Sequence, residues 1–301
     1  MSSQNITLMK NKFLNKLTVG KDPSYLPFFR ITIGLVAIID LITMGDDFKL
    51  FFSKESTILP QELSYLFTEY FGVLNPLYQY LESIELIAFF YNNISWIYIV
   101  ILICLILGIF TRITALVAVI LQLIIFKSFA LFNFGYDHFL TISLFYCFIF
   151  PVGKFYSLDN KIFKRKAKLK YNFNYQNMLR IHLSIVYFFA GIAKIVSVTW
   201  WNGEAVWRSI SSIYDNLFQI PPIILSTVGI ITVLMEVTYP FIMLHKKTRK
   251  ILLMMIISMH LGIAFMLQLP MFAAIMIVWN LTAYFKDVFN FNLSTPKTEP
   301  V

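Results

Sequence analysis

Apolar stretches of membrane-crossing length recur along this chain, and they constrain its fold more than any other feature. A crossing helix needs about 20 mostly apolar residues. The candidate segments are Leu26–Met44, Ser95–Phe110, Ile113–Phe132, His138–Phe155, Tyr175–Val198, Pro222–Leu244, Ile251–Gln268 and Met271–Phe285. They predict an all-α polytopic membrane bundle of about eight transmembrane helices. Composition agrees, because 58% of the 301 residues are hydrophobic and only 14% are charged, against roughly 45–50% and 25% in soluble domains.

The expected organisation is a polar segment at 1–25, a transmembrane domain at 26–286 and a tail at 287–301. The opening segment is basic and has neither an apolar h-region nor a small-residue cleavage site, so the first apolar helix is expected to direct insertion. Lysine and arginine set the orientation. They collect before the first span, at Arg112 between the second and third, from Lys154 to Lys170 after the fourth, from Lys246 to Lys250 between the sixth and seventh, and at Lys286 after the eighth. The alternate loops carry Asp46, Asp47, Glu55, Glu62, Glu69, Glu204 and Asp215. Both termini are therefore expected in the cytoplasm of a multi-pass protein of the cell membrane. Gly72–Tyr91, interrupted by Asn75, Pro76, Gln79, Glu82 and Glu85, reads as an amphipathic segment in the outer interface.

The net charge of +9 arises mostly in these short loops, so it implies membrane lipid and no nucleic-acid partner. Cys104 and Cys147 lie in separate apolar segments without a C-x-x-C motif, which argues against thiol redox chemistry. The histidines show no repeated ligand spacing, and no metal site is expected.

Arg30, Asp40, Lys127, Arg180, His182, Lys194, Glu236 and His260 fall inside the expected spans. A charge at membrane depth costs about 2.5–3.5 kcal/mol on insertion scales, so each needs a reason to be there. Arg30 and Arg180 lie near cytoplasmic ends, where a long side chain can snorkel to the headgroups, and Lys127 can do the same outward. In the fifth span Arg180, Tyr187 and Lys194 recur every seven residues and share a stripe with Ser184 and Gly191, while Leu183, Val186 and Phe189 are expected on other faces. Ala190 and Gly191 would admit another helix or a flat ligand.

Two readings of Lys194 stay open on physical grounds. An apolar cavity around an amine disfavours its charged form and makes a general base. Alternatively the ammonium pairs with Glu236, Asp40 or a lipid phosphate. Glu236 and His260 lie on consecutive spans and with Arg180 form a candidate intramembrane polar network. His138 stands at the outer start of the fourth span, as a capping residue or a functional one.

Several motifs carry a family resemblance. Asp22-Pro23, Phe29-Arg30-Ile31-Thr32-Ile33-Gly34, Phe51-Phe52-Ser53 and Leu59-Pro60 are followed in order by Leu107-Gly108-Ile109-Phe110-Thr111-Arg112, Phe150-Pro151-Val152-Gly153, Ser157-Leu158-Asp159 and Tyr187 through Trp201. The series resembles the HTTM family, membrane-domain relatives of vitamin K-dependent gamma-glutamyl carboxylase, over residues 22 to about 285. In that carboxylase the base is a lysine in an alanine-glycine-x-x-lysine run, matched here by Ala190-Gly191-Ile192-Ala193-Lys194. The resemblance implies that Lys194 deprotonates reduced vitamin K or menaquinol, the reduced form of a membrane quinone, so that its anion reacts with O2. The strong base so formed abstracts a proton from a substrate carbon, which captures CO2, while the quinol becomes an epoxide. It also implies an assisting histidine at His138 and a quinone site near Tyr187, Gly191, Trp200 and Trp201. No counterpart of the large extramembrane portion of the animal carboxylase is expected after the last span. The size instead matches a small branch resembling the bacterial sporulation-delaying-toxin maturation protein, so the acceptor is either a carboxylated peptide or small molecule, or an exported peptide matured without quinone chemistry. A non-catalytic bundle is the third reading.

Overall fold

The computed structural model describes residues 24–52, 71–128, 132–162, 174–211, 213 and 220–289. Among them the secondary structure is entirely helical. The chain divides into two compact units, residues 26–168 and residues 169–301 together with 1–25.

The first unit contains α1 (Tyr25–Met44), α2 (Asp47–Phe51), α3 (Phe71–Ser83), α4 (Ile87–Leu107), α5 (Thr111–Ser128), α6 (Gly135–Ile149), a 3-10 turn (Val152–Lys154) and α7 (Leu158–Ile162). The second contains α8 (Tyr175–Ile195), α9 (Val198–Trp201), α10 (Glu204–Ser211), α11 (Pro222–Ile242), α12 (Lys246–Met266), α13 (Pro270–Ala283) and α14 (Phe285–Val288). Among the described residues, α1, α4, α8, α11 and α12 are long and apolar enough to cross a membrane alone, and Thr111–Phe126 and Pro270–Ala283 are shorter apolar helices.

Local chemistry explains where these helices differ from the expected spans. α4 starts eight residues before the expected Ser95 and absorbs the end of the segment read as interfacial. The amide of Asn93 donates to the Phe89 carbonyl one turn back, so its polarity is spent on its own helix. The remainder, α3, keeps an amphipathic character with Leu74 and Tyr78 buried. α6 stops at Ile149 rather than Phe155 because Pro151 forces Phe150 into an extended conformation. α4 ends at Gly108, whose φ of 72° lies in the left-handed region that glycine tolerates best.

In the first unit the family-pattern residues converge. Arg30 is fully buried and donates to the carbonyls of Val152 (3.0 Å) and Tyr156 (2.6 Å). The expected snorkelling of Arg30 is corrected: its guanidinium turns inward, because the chain after α6 presents carbonyl oxygens within its reach. Asp159 receives the backbone N–H groups of Phe110 (2.7 Å) and Thr111 (2.9 Å) and the Thr111 hydroxyl (2.8 Å), capping the start of α5. A side chain at Gly108 would collide with Ser157 and Arg30, and one at Gly153 with Thr111. The motifs around Arg30, Gly108, Thr111, Gly153, Ser157 and Asp159 thus form one structural knot.

In the second unit α8 packs on α11 and α13, and α12 packs on α11 and α13, giving a ring of four apolar helices. α8 buries Leu179, Leu183, Tyr187 and Gly191, so Leu183 lies on the buried face beside Tyr187, contrary to expectation. The four-residue row wins because α11 approaches along it. Arg180 is also held rather than snorkelling freely. Its Nε donates to the Ala283 carbonyl (2.7 Å), its Nη1 to Asn177 Oδ1 (3.1 Å), and its guanidinium lies 5.1 Å from the centre of the Tyr284 ring.

Candidate functional site

The site lies where the last turn of α8 meets the middle of α11. Gly191 makes the meeting possible. A Cβ there would stand 2.6 Å from Val237 Cγ2, 2.8 Å from the Val237 nitrogen and 3.1 Å from Glu236 Cβ, so only glycine lets the two backbones approach this closely. Three residues later on α8, Lys194 Nζ sits 2.6 Å from Glu236 Oε2. The side chains are 20% and 8% exposed. Each charge at this depth is tolerable because the other neutralises it.

A short strap closes over the pair. α8 gives way to α9 and α10, and Trp201 Nε1 donates to the Ile195 carbonyl (2.9 Å), satisfying one of the acceptors left open at a helix C-terminus. The Trp200 ring centre lies 5.1 Å from Lys194 Nζ, within cation–π range. Two glycines seat the strap on α11: Gly229 lies against the Trp200 carbonyl, and Gly203, with φ of 82°, against Leu225 and Ser226. Trp200 is half-buried and Trp201 exposed, so these indoles and the uncovered part of Lys194 form the approachable side of the site.

Deeper in the bundle, each of the four apolar helices contributes one polar residue to a continuous chain. Tyr239 of α11 donates to Asn280 Oδ1 of α13 (2.8 Å), Asn280 Nδ2 donates to Tyr187 Oη of α8 (2.8 Å), and Tyr187 Oη lies 2.8 Å from His260 Nε2 of α12. Direction follows from donor chemistry. Asn280 Nδ2 also donates to the Met276 carbonyl (2.9 Å), an obligate acceptor, which orients the amide. Tyr187 therefore accepts from Asn280, and its 2.8 Å contact with His260 Nε2 runs in the direction set by the imidazole tautomer. His260 Nδ1 is buried without a hydrogen-bond partner. The Tyr187 and Tyr239 rings are 4.3 Å apart, so this chain braces the α8–α11 contact that also carries Lys194 and Glu236.

The structure brings Lys194, Glu236, Gly191 and Trp200 together, with Trp201 on the strap. It places Tyr187 and His260 in the deeper chain, and Arg180 beside Tyr284, whose hydroxyl is hydrogen-bonded to Tyr239 of that chain. His138 belongs to the other unit. It is exposed in the first turn of α6, with its ring edge-on to Phe126 at 5.0 Å, while the neighbouring Asp137 carboxylate accepts the Phe134 N–H (3.1 Å) and caps the helix. Lys127 lies where only the backbone is described. Asn280 and Tyr239 escape a survey of ionisable residues because an amide carries no charge and a tyrosine reads as core. The available signal is an asparagine inside the apolar run Pro270–Ala283.

The family model for the HTTM domain matches residues 20–287. No curated protein and no solved structure matches the chain.

Proposed function

The chain belongs to the HTTM family, and from that premise we propose that it is a membrane-embedded acid–base enzyme in which Lys194 and Glu236 deprotonate a reduced naphthoquinone. The family is associated with vitamin K-dependent carboxylase-like membrane proteins. The observation that carries the reading is the 2.6 Å contact between Lys194 Nζ and Glu236 Oε2, at the end of the alanine-glycine-x-x-lysine run and beneath Trp200. Moving the ammonium proton to Glu236 leaves a net-neutral pair, as the ion pair was, and frees an amine to accept a hydroxyl proton. Glu236 thus holds the proton that would otherwise block the base.

The residues fit a flat aromatic diol at the Trp200 side. The indole offers a stacking face, and Lys194 is partly uncovered there. On the opposite side Gly191 is filled by α11 and Tyr187 is committed to the deeper chain, so those two shape the site from behind. A bound naphthoquinol supplies the reducing equivalents for reaction with O2, yielding its epoxide and, when CO2 is captured, a carboxylated acceptor.

The topology proposed with this function has eight crossings, α1, α4, α5, α6, α8, α11, α12 and α13, with both termini in the cytoplasm of a cell-membrane protein. The alternation of lysine and arginine along the sequence supports it.

One alternative has an observation in its favour. A non-catalytic bundle predicts the same ion pair. The partial exposure of Lys194 and the tryptophan face beside it favour chemistry, because a purely structural pair gains nothing from an accessible amine. The test is to supply the protein in nanodiscs with reduced menaquinone or vitamin K hydroquinone and O2, with and without bicarbonate, and to measure epoxide by mass spectrometry. Epoxide from the wild type that disappears in Lys194→Ala is expected. No epoxide from folded wild-type protein overturns the reading.

A further inference from the structure

Outside this site, α11 and α12 leave an apolar groove of about 360 Å³ between them. Ile231, Leu234, Thr238 and Ile242 form one wall, and Ile251 and Met255 stand on the other. The threonines do not make it polar. Thr238 Oγ1 donates to the Leu234 carbonyl (2.6 Å), and Thr248, also in the lining, donates to the carbonyls of Ile242 and His245 (3.2 and 3.3 Å). The groove therefore offers only hydrocarbon to an occupant.

Its ends differ. From Ile231 to Ile242 is about 16 Å of helix, close to half of the roughly 30 Å hydrocarbon core and so to one leaflet. The Ile242 and Thr248 end reaches the start of α12, where Lys246, Lys247 and Lys250 are exposed. Among the described residues, no ion pair engages these three lysines, whereas the neighbouring Arg249 is held by Asp287 at 2.9 Å. A one-leaflet hydrocarbon groove ending at unneutralised lysines has the charge and length of a phospholipid with an anionic headgroup.

We propose that the groove between α11 and α12 binds an anionic phospholipid, its acyl chain against Leu234, Thr238 and Met255 and its phosphate at the end of the groove where the positive charge of Lys246, Lys247 and Lys250 gathers. Met235 lines the groove beside Glu236, so the lipid supports the α11 segment that holds the Lys194 pair. The binding itself is independent of any catalytic reading.

Native mass spectrometry of the full chain, released from micelles containing equal amounts of phosphatidylglycerol and phosphatidylcholine with identical acyl chains, tests this. The wild type is expected to retain phosphatidylglycerol about fivefold or more over phosphatidylcholine. Combined Lys246→Gln, Lys247→Gln and Lys250→Gln should bring the ratio to about one, and the matching Lys→Arg triple variant should preserve it. Leu234→Trp, which fills the groove, should lower retention of both lipids. Equal retention by the wild type, an unchanged ratio in the glutamine variant, loss of the ratio in the arginine variant, or unaltered retention in Leu234→Trp overturns the proposal. Unfolding midpoints of the variants, measured alongside, identify any that fail to fold, and the surface lysine variants are expected to match the wild type.

Discussion

Each compact unit holds a cation among its helices, and the two are held by different kinds of partner. Arg30 is fully buried and ends on the carbonyls of Val152 and Tyr156. Lys194 is partly uncovered and ends on the carboxylate of Glu236. Guanidinium stays charged at any accessible pH, and its fork suits two fixed carbonyls, so Arg30 ties chain segments together without exchanging a proton. Lysine and glutamate can exchange one. Depth and charge are common to both residues. On the proposed reading, what separates them is that the partner of Lys194 can take a proton and that its amine is partly uncovered.

Breaking the first arrangement should have the largest effect on stability. Arg30→Met leaves two carbonyls unsatisfied, at about 1–3 kcal/mol each, and opens space beside Gly108 and Ser157. A loss of about 3 kcal/mol or more is expected in denaturant unfolding in mixed micelles. Arg30→Lys should rescue little of it, because an ammonium cannot span both carbonyls with a planar fork.

Breaking the second arrangement should cost less stability and more activity. Glu236→Gln strands an ammonium that is still 20% exposed, at about 2 kcal/mol, and should abolish epoxide formation while leaving the protein folded by size exclusion. Gly191→Ala sharpens the comparison further. The added methyl must push Val237 away, at about 1–3 kcal/mol for a well-packed contact, and should cut turnover by separating Lys194 from Glu236.

Asn280→Leu removes the centre of the four-helix chain and takes the amide partner from both Tyr187 and Tyr239. About 2 kcal/mol of destabilisation is expected, visible as a lowered unfolding midpoint. The smallest effect belongs to the exposed pair on α10, where Arg208 meets Glu204 one turn away. Arg208→Ala should change stability by no more than about 0.5 kcal/mol and leave turnover unaltered.

Helix placement is legible in the sequence because apolar run length is a local property. Even the departures are local, as at Phe150 before Pro151 and at Asn93 on its own helix. The destination of Arg30 is not legible, since its acceptors lie 122 and 126 residues away and carbonyl oxygens belong to every residue type. For Lys194, sequence reasoning leaves Glu236, Asp40 and lipid phosphate as partners. Packing selects Glu236, through the close approach at Gly191. The deeper chain is only half legible: His260 stands out as ionisable, and Asn280 as an amide inside an apolar run, but that they join through Tyr187 becomes visible only when four helices converge.

In the proposed function Lys194 and Glu236 perform chemistry as well as neutralising one another. The most direct measurement compares unfolding and epoxide turnover for Lys194→Met, Glu236→Met and the double variant. Replacing both members of a buried pair with apolar side chains removes the stranded charge and is often nearly neutral for stability. The double variant is expected to recover most of the stability lost in the single variants, yet to form no epoxide. A double variant that turns over quinol at the wild-type rate would contradict the proposed function and reduce the pair to a structural contact.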